Sequence, residues 1–414
     1  MTKRLLLLLP TASYRNDDFL AAGRALGIDI VTAADYCHQL APGWGLPPLL
    51  GLQFDHPQQA METIVGALPV PPDAVLAVDD SGLELAAMLR EKWHLPGNPV
   101  SAVAVTRDKL AFRRLLAANG LNCPTFQSLP NSADAAELLP QLRLPVVVKA
   151  RRLSASRGVI RADSAQEFLQ AVKRVRRIQA LADRDSAALG IVVESFIPGA
   201  EYALEGLLTE GRLEVLALFD KPDPLDGPYF EETLYVTPSR LPRETQDRIR
   251  DAVARACAAA GLTEGPVHAE MRVNAAGVWL LEVAARSIGG LCGRMLRHAL
   301  GTTLEEIILR HALRLPPPPR SAGDAAGVMM IPIPCRGIYQ GADNIDAALS
   351  IPRIVDIQIT AAPGQIITPP PEGASYLGFI FSRGATPQQA EAALRHAHAL
   401  LSFDIQPDIA VTPE

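Results

Sequence analysis

The chain has 414 residues, of which 48% are hydrophobic and 20% are charged, a composition typical of a soluble globular protein with two or three domains. Its formal net charge of −6 excludes an overall positive field, so nucleic acid is not an expected partner. No apolar stretch has the length of a membrane span, so no membrane partner is expected either. The cysteines form no CxxC pair, which argues against a zinc site or disulfide scaffold and favours a reducing cytoplasm; they are Cys37, Cys123, Cys257, Cys292 and Cys335.

The first hundred residues alternate short apolar runs with helical patterns, as in a parallel sheet covered by helices. The run at residues 5–9 resembles the core of a signal peptide, but it is too short for one and predicts a buried strand. Residues 28–31 and 74–78 predict further strands of this sheet, and residues 83–92 predict a helix.

The segment VTRDKLAFRRLLAANG follows and predicts a single helix. Thr106 is its expected N-cap, and Gly120 is expected to end it. Leu110, Leu115 and Leu116 form its apolar side.

Downstream, strand and helix patterns alternate up to a proline-rich connector at residues 315–327, beyond which a compact α+β unit is predicted. The predicted strands include LPVVVKA at residues 144–150 and IVVESFI at 191–197, and the predicted helices cover residues 166–182, 243–261 and 387–401.

Lys149 ends the first of these strands and precedes a loop with small hydroxyl residues, in LPVVVKARRLSASRGV. Backbone amides and the hydroxyls of Ser154 and Ser156 can donate to phosphate oxygens, while the lysine adds a positive charge on a fixed stem. The chain has neither the P-loop motif nor GxGxxG. The alternative is a solvated basic loop, formed with Arg157 and Gly158, beside a lysine that only ends the strand.

The segment VVESFIPGAEY suits the wall of a nucleotide pocket. The strand backbone between Glu194 and Ile197 would pair with the edge of a base, and the Glu201 carboxylate would accept hydrogen bonds from ribose hydroxyls. The alternative is an edge strand with solvated acids.

The segment HAEMRVNAAGVWLLEVAAR predicts a hairpin with two acids. If Val273 pairs with Trp279 across a five-residue loop, Glu270 lies opposite Glu282 with their Cβ atoms about 5 Å apart. Such like charges repel unless a cation neutralises them, and Mg²⁺ is commonly held by one or two carboxylates together with substrate phosphates. A register shift of one residue would separate the two acids and leave His268, Glu270 and Arg272 as an exposed charged face.

Arg286 follows this hairpin and precedes Gly289 and Gly290, which allow close backbone approach. Its fork of donors suits a phosphoryl group or an acyl phosphate. The alternative is a salt bridge to a neighbouring acid.

Five segments occur in one order: TRDKLAFRRLLAANGLNCP, VVVKARRLSASRGV, VVESFIPGAEY, VHAEMRV and LLEVAARSIGG. In this order the chain resembles, over nearly its whole length, the ATP-grasp superfamily of carboxylate-amine ligases. The resemblance implies an α/β and α+β fold. Its expected parts are a Rossmann-like N-terminal domain at residues 1–105, an ATP-grasp region at 106–315 with a lid subdomain at about 123–200, and an α+β subdomain at 316–414 that completes the ATP-grasp half.

The resemblance also implies an ATP site with Mg²⁺, or Mn²⁺ as the alternative ion, held by Glu270 and Glu282. Lys109 and Lys149 would contact phosphates, the loop from Ser154 to Gly158 would form the lid, and Glu201 would contact ribose. The implied ATP-binding residues are Lys109, Lys149, Ser154, Ser156, Arg157, Gly158, Glu194, Ser195, Phe196, Ile197 and Glu201.

Within the superfamily, EVAAR carries Ala284 where Asn is commoner, so water or substrate would supply any third metal ligand. This form and the segment FDKPDPLDGPYFEETLYVTPS are similar to L-amino acid ligases, the dipeptide-forming branch. The likeness implies that Glu232 faces a substrate amino group and that Arg286 faces the carboxylate and its phosphorylated form. Lys221 and His268 would form the pocket wall, and Tyr235 stands where some relatives have histidine.

The implied reaction transfers the γ-phosphoryl group to a carboxylate and then joins the acyl phosphate to an amine. Lys149, Arg286 and the amides of Gly289 and Gly290 would be the catalytic groups. Small-molecule carboxylate and amine substrates are therefore the expected partners, and the sequence leaves their identities and the pathway open. The expected assembly is a homodimer, the commonest one for such enzymes. The alternatives are a ligase for a non-amino-acid carboxylate, a biotin-carboxylase-like enzyme, and a nucleotide-binding module without turnover.

Overall fold

The computed structural model describes residues 2–11, 13–35, 50–182, 188–320 and 323–408. Cys37 lies outside the described residues, and the other cysteines carry free thiols. Within the described ranges, no helix is both long and apolar enough to cross a lipid bilayer.

The N-terminal part folds as the predicted parallel sheet, with strand order β3-β2-β1-β4. The strands are β1 (Arg4–Leu9), β2 (Asp29–Ala34), β3 (Leu50–Gly51) and β4 (Ala74–Ala77), and the helices are α1 (Asn16–Ala25), α2 (Pro57–Ala67) and α3 (Leu83–Trp93). Leu5 and Leu7 belong to one core cluster with Phe19 of α1, and Leu6 belongs to another with Ile64 of α2. The continuous leucine run is therefore a strand buried on both faces.

Two helices, α4 (Val100–Arg107) and α5 (Lys109–Ala118), replace the single helix predicted for this segment. Asp108 between them is extended, and its carboxylate accepts hydrogen bonds from the backbone N–H groups of Leu110 and Ala111. The predicted N-cap is wrong, because Thr106 lies inside α4 and donates to the Val103 carbonyl. Aspartate is a strong N-cap, so the helix restarts at Asp108.

A small antiparallel sheet follows, with strand order β5-β8-β6-β7. Its strands are β5 (Phe126–Leu129), β6 (Val146–Ala150), β7 (Val159–Ala162) and β8 (Ile191–Ser195), and helix α6 (Ala165–Ala182) packs against it. These elements confirm the two predicted strands and the Arg-rich helix between them. The sheet lies within the range predicted for the lid subdomain.

The remaining strands form an eight-stranded sheet, ordered β13-β12-β9-β10-β11-β14-β18-β16, and a three-stranded sheet, ordered β17-β15-β19. The strands are β9 (Ala200–Thr209), β10 (Arg212–Asp220), β11 (Leu234–Thr237), β12 (Gly265–Asn274), β13 (Gly277–Ala284), β14 (Ala325–Ile331), β15 (Gly337–Asp343), β16 (Ile354–Ile359), β17 (Ile366–Ile367), β18 (Gly378–Gly384) and β19 (Ser402–Gln406). The helices are α7 (Arg243–Ala260), α8 (Leu296–Leu300), α9 (Leu304–Ala312), α10 (Ile345–Leu349) and α11 (Pro387–Leu400).

The eight-stranded sheet contains strands from both sides of the proline-rich connector, because β11 pairs with β14. The predicted connector is too long at its end, since residues 325–327 already belong to β14. The domain boundary expected after residue 315 thus divides two segments of the chain whose strands belong to the same sheet.

Candidate active site

A cavity of about 390 Å³ lies where the parallel sheet, the small sheet and the eight-stranded sheet meet. It brings together most of the residues that the sequence predicts for the site. Arg157, Gly158 and Lys221 do not line it. The predicted residues that do are Lys109, Lys149, Ser154, Ser156, Glu194, Ser195, Phe196, Ile197, Glu201, Glu232, Tyr235, His268, Glu270, Glu282, Arg286, Gly289 and Gly290.

The hairpin register differs from the predicted one, although its two acids do face each other. Val273 pairs with Val278 instead of Trp279, because the turn after Asn274 contains two residues instead of five. A β-bulge then adds Leu281 to β13, and the extra residue restores the pairing of Glu270 with Glu282. The predicted pairing is therefore correct, but it results from a two-residue turn and a bulge and not from the five-residue loop that was assumed.

The two facing acids are partly open to the cavity, with exposed side-chain fractions of 23% for Glu270 and 31% for Glu282. Glu270 lies 3.5 Å from the Lys221 ammonium, and Glu282 lies 3.9 Å from that of Lys109. Each negative charge thus faces a lysine, which reduces the repulsion between the two carboxylates.

Lys221 is buried behind the cavity wall at the centre of an acidic cluster. Its ammonium lies 2.9 Å from Glu201 and also contacts Glu232 and Glu270. One oxygen from each of these three carboxylates lies within 4.8 Å of the others. Burial and the Glu270 charge raise the pKa of Glu232 to about 7, whereas the three acids outweigh burial and raise the pKa of Lys221.

His268 bridges Glu270 and a fully buried acid, Glu205. Its Nε2 lies 3.4 Å from Glu270 and its Nδ1 lies 3.2 Å from Glu205. Burial alone would lower the pKa of His268, but hydrogen bonds to the two acids raise it to about 9. Glu205 also accepts a hydrogen bond from the Ile288 amide, so it links the histidine to the loop after β13.

A buried ion cluster holds Lys149 in place. Glu194 is 1% exposed and contacts the Lys149 ammonium at 2.8 Å and the Arg113 Nε at 2.8 Å. Burial opposes its ionisation, but the two cations lower the pKa of Glu194 to about 2. Because the carboxylate is occupied, only the backbone of Glu194 remains for the base-pairing role predicted at this position.

Arg113 also supports the acid hairpin. Its terminal nitrogens donate to the carbonyls of Leu280 and Leu281 at 3.2 and 2.8 Å, directly at the bulge in β13. One guanidinium therefore holds both the carboxylate that binds Lys149 and the backbone that places Glu282.

The predicted lid loop lies against the far end of the chain. The Gly158 amide donates to the Pro371 carbonyl at 2.8 Å, and Lys109 donates to the Leu153 carbonyl at 2.5 Å. Ser156 and Gly158 have positive φ values of 55° and 66°. The loop thus bends sharply, with Ser156 lining the cavity and Gly158 turned towards residue 371.

The segment predicted to hold the base and ribose is anchored by Arg272. This buried arginine donates to the Ile197 carbonyl at 3.0 Å and to Glu201 at 3.2 Å, and it lies over the Phe196 ring. Ser195 accepts a hydrogen bond from the Thr125 amide. Glu201 is therefore shared between Lys221 and Arg272.

Arg286 makes the salt bridge that the alternative interpretation anticipated, and it also lines the cavity. Its Nη2 lies 2.8 Å from Asp80, and its Nε lies 3.7 Å from Asp79. Burial would lower the pKa of Arg286, but these two acids raise it above its ordinary value.

Several charged groups in or next to the cavity wall were not predicted from the sequence: Arg15, Asp79, Asp80, Arg113 and Glu205. The sequence did contain a signal for the two aspartates. They come shortly after a parallel strand, at the carboxyl edge of the sheet, where ligands commonly bind. Glu205 carried a weaker signal, as a lone acid within the apolar run of β9.

We expect Glu194→Gln to lower the free energy of unfolding by about 3–5 kcal/mol, because it leaves buried Arg113 and Lys149 without their counter-charge. As the control, Glu372→Gln breaks an exposed ion pair with Arg174 and should cost about 0–1 kcal/mol. Since the pKa of Glu194 falls from 4.5 to about 2 on folding, its stabilisation is complete above pH 4.5 and disappears as the pH falls towards 2. Denaturant unfolding at several pH values measures this. Equal losses in both variants would contradict the assigned role.

Two family models match the chain. The model described as ATP-grasp domain matches residues 142–295, and the one described as L-amino acid ligase C-terminal domain 2 matches residues 329–406. The chain is 30% identical over 275 residues to a D-alanine–D-alanine ligase of Desulforudis audaxviator, covering 59% of this chain and 84% of that protein. It is also 30% identical over 296 residues to carnosine synthase 1 of Gallus gallus, covering 67% of this chain.

The chain spans 31% of the length of that carnosine synthase and 64% of a Sinorhizobium fredii relative. Among solved structures, it resembles an L-amino acid ligase from Bacillus licheniformis with a TM-score of 0.80 and 26% identity, over 98% of this chain and 99% of that one. An N5-carboxyaminoimidazole ribonucleotide synthetase from Thermotoga maritima has a TM-score of 0.73 at 14% identity and shares the fold, over 98% and 100% of the two chains. The predicted ATP-grasp fold is thus confirmed, and the chain belongs to the ATP-grasp superfamily of carboxylate-amine ligases.

Proposed function

We propose that this ligase joins two amino acids, or an amino acid and a small carboxylate, by an amide bond formed through an acyl phosphate. One observation carries the proposal. A single cavity holds the two lysines and two facing glutamates suited to a nucleotide with its metal, together with Glu232 and Arg286, which suit an amino group and a carboxylate.

The nucleotide would lie along the small sheet. Lys149 and Lys109 enter the cavity from two different elements, and both are restrained, by Glu194 and by the Leu153 carbonyl. Such fixed cations can neutralise phosphate oxygens with little reorganisation. The loop containing Ser154 and Ser156 supplies hydroxyl and amide donors above them. Phe196 and Ile197 line the side where the base would lie.

Glu270 and Glu282 would hold the Mg²⁺ that accompanies the triphosphate, with Mn²⁺ as the alternative ion. They fit a hard cation, because they are directly opposite carboxylates with partly exposed side chains in the cavity. When bound there, the ion would help to neutralise the charge that develops on the transferring phosphoryl group. Ala284 offers no side-chain ligand, so water or substrate would complete the coordination.

In the first step, a substrate carboxylate oxygen forms a bond to the γ-phosphorus of ATP, the bond to the β-phosphate oxygen breaks, and ADP leaves. In the second, the amine nitrogen attacks the acyl carbon, the C–O bond to phosphate breaks, and phosphate leaves as the amine loses its proton. Arg286 and the amides of Gly289 and Gly290 would stabilise the tetrahedral oxyanion.

The lid loop would protect the acyl phosphate from water. The Gly158 amide already contacts the Pro371 carbonyl, so the loop and the C-terminal part close over one side of the cavity together. Exclusion of water matters here because the acyl phosphate would otherwise hydrolyse.

The function is tested by incubating the full chain with ATP and Mg²⁺ against separate pools of amino acids, organic acids and bicarbonate. ADP release is measured, and products are identified by mass spectrometry. We expect ADP release with amino-acid pools and a product mass equal to the two substrates minus water. Release only with organic acids or only with bicarbonate would instead identify a different ligase or a carboxylase. ATP binding without ADP release in any pool would show a nucleotide-binding module.

We expect Glu270→Gln and Glu282→Gln each to raise the Mg²⁺ concentration needed for half-maximal ADP release by more than about tenfold, because each variant removes one anionic oxygen ligand. Titrating Mg²⁺ at saturating ATP measures the effect. Glu244→Gln, on the exposed first turn of α7, is the control and should not change the titration. An unchanged Mg²⁺ requirement in both site variants would place the ion elsewhere.

We expect Arg286→Ala to lower kcat for amide formation by about 10²–10³-fold, the usual effect of removing one oxyanion donor. The binding of MgATP, measured by calorimetry, should stay near the wild-type value, because the proposed contacts to the phosphates come from Lys109 and Lys149 and not from Arg286. Near-normal amide synthesis in this variant would remove the proposed role.

A further inference from the structure

Arg286 reaches the cavity as a guanidinium with two sides occupied by protein. Its Nη2 contacts Asp80 at 2.8 Å, and its Nη1 donates to the Ser287 carbonyl at 3.0 Å. Its Nε is buried and faces the Asp79 carboxylate at 3.7 Å. Arg286 lines the cavity and its guanidinium carries five N–H donors, so the remaining N–H groups of its terminal nitrogens are available to a substrate oxygen.

The two acids that hold it come from the N-terminal sheet. Asp79 and Asp80 follow β4 directly, and the Asp79 carboxylate accepts from the Asp80 amide at 2.8 Å. Gly82, at the end of this turn, lies so close to β1 and β4 that an added Cβ would meet the Cβ atoms of Ala77 and Leu8 at 3.1 and 3.3 Å. The turn is therefore packed on the sheet and presents its acids in a fixed place.

Arg15, immediately before α1, joins this turn to the loop that carries Arg286. It is 2% exposed, and its terminal nitrogens donate to the Val78 carbonyl on one side and to the Ser287 hydroxyl and carbonyl on the other. The Ser287 carbonyl thus accepts from both arginines. Arg15 therefore connects Val78, which precedes Asp79, with Ser287, which follows Arg286.

Two arginines, Arg15 and Arg286, lie among two aspartates, Asp79 and Asp80, in a buried region where each charge strongly influences the others. The side chains of Asp79 and Asp80 are 33% and 27% exposed in the cavity that they line, whereas Arg15 is buried and cannot move without breaking both of its contacts.

We infer that Asp80 and Arg15 are positioning residues for Arg286, and that they hold its guanidinium in one orientation, with its terminal nitrogens available to the substrate carboxylate. The inference rests on the proposed function, which assigns Arg286 to that carboxylate and its acyl phosphate. It extends the active site to the N-terminal sheet, which would set the alignment of the catalytic arginine without itself touching the reacting atoms.

The test compares Asp80→Asn with Asp80→Glu, and uses Asp29→Asn as the control, because Asp29 forms an exposed ion pair with Arg4 in the same sheet. Asp80→Asn keeps the shape but removes the charge that orients the guanidinium. We expect its kcat to fall about 10–100-fold, the effect of a small misalignment, with the KM for ATP within about twofold of wild type. Asp80→Glu should recover part of kcat, and Asp29→Asn should match wild type.

Arg15→Lys is the second variant, since it keeps the charge but cannot donate to Val78 and Ser287 together. It should show the same fall in kcat with little change in the KM for ATP. A fall in thermal midpoint without a change in kcat would assign Arg15 to stability alone and overturn its positioning role.

Crystal structures of wild type and Asp80→Asn with MgADP give a readout that needs no turnover. A displaced Arg286 guanidinium supports the inference, and an unmoved one contradicts it. Absence of substrate-dependent ADP release from wild type would instead contradict the proposed function, so the two failures are distinguishable.

Discussion

The site depends on one buried guanidinium, that of Arg113. It binds the Glu194 carboxylate, which in turn holds Lys149, and it also donates to the two carbonyls at the bulge before Glu282. The cation that would contact phosphate and the acid that would hold metal therefore share one anchor from α5. Because arginine stays charged and the geometry of its guanidinium is rigid, it can hold β8 and β13 in a fixed relative position.

Many charged side chains line the cavity or lie directly behind it, and the protein pairs these charges with one another. Lys221 sits among Glu201, Glu232 and Glu270, and Arg272 shares Glu201. Such a prearranged set of charges suits transfer of a highly charged phosphoryl group, because little reorganisation remains for the reaction itself. The same arrangement explains how the facing glutamates are tolerated, since each has a lysine nearby.

Much of the fold follows from periodicity along the chain, and the failures have local causes. Residues 5–9 could only be a buried strand, whereas the helix around residue 108 was interrupted because an aspartate side chain competes for free amides at a helix start. The facing of Glu270 and Glu282 was predicted from a five-residue loop, but it arises from a two-residue turn and a bulge. A bulge depends on backbone contacts such as those from Arg113, which lie far away in sequence.

The sequence by itself determined the N-terminal parallel sheet, the superfamily and about half of the residues that line the cavity, because these depend on local patterns and on motif order. Only the tertiary structure decided which charges meet. Arg15 with Ser287, Arg113 with Glu194, and Arg286 with Asp80 are each separated by dozens to hundreds of residues. Such pairs carry no local signal, since a buried charge is stabilised by whichever partner the packing of distant strands brings within reach.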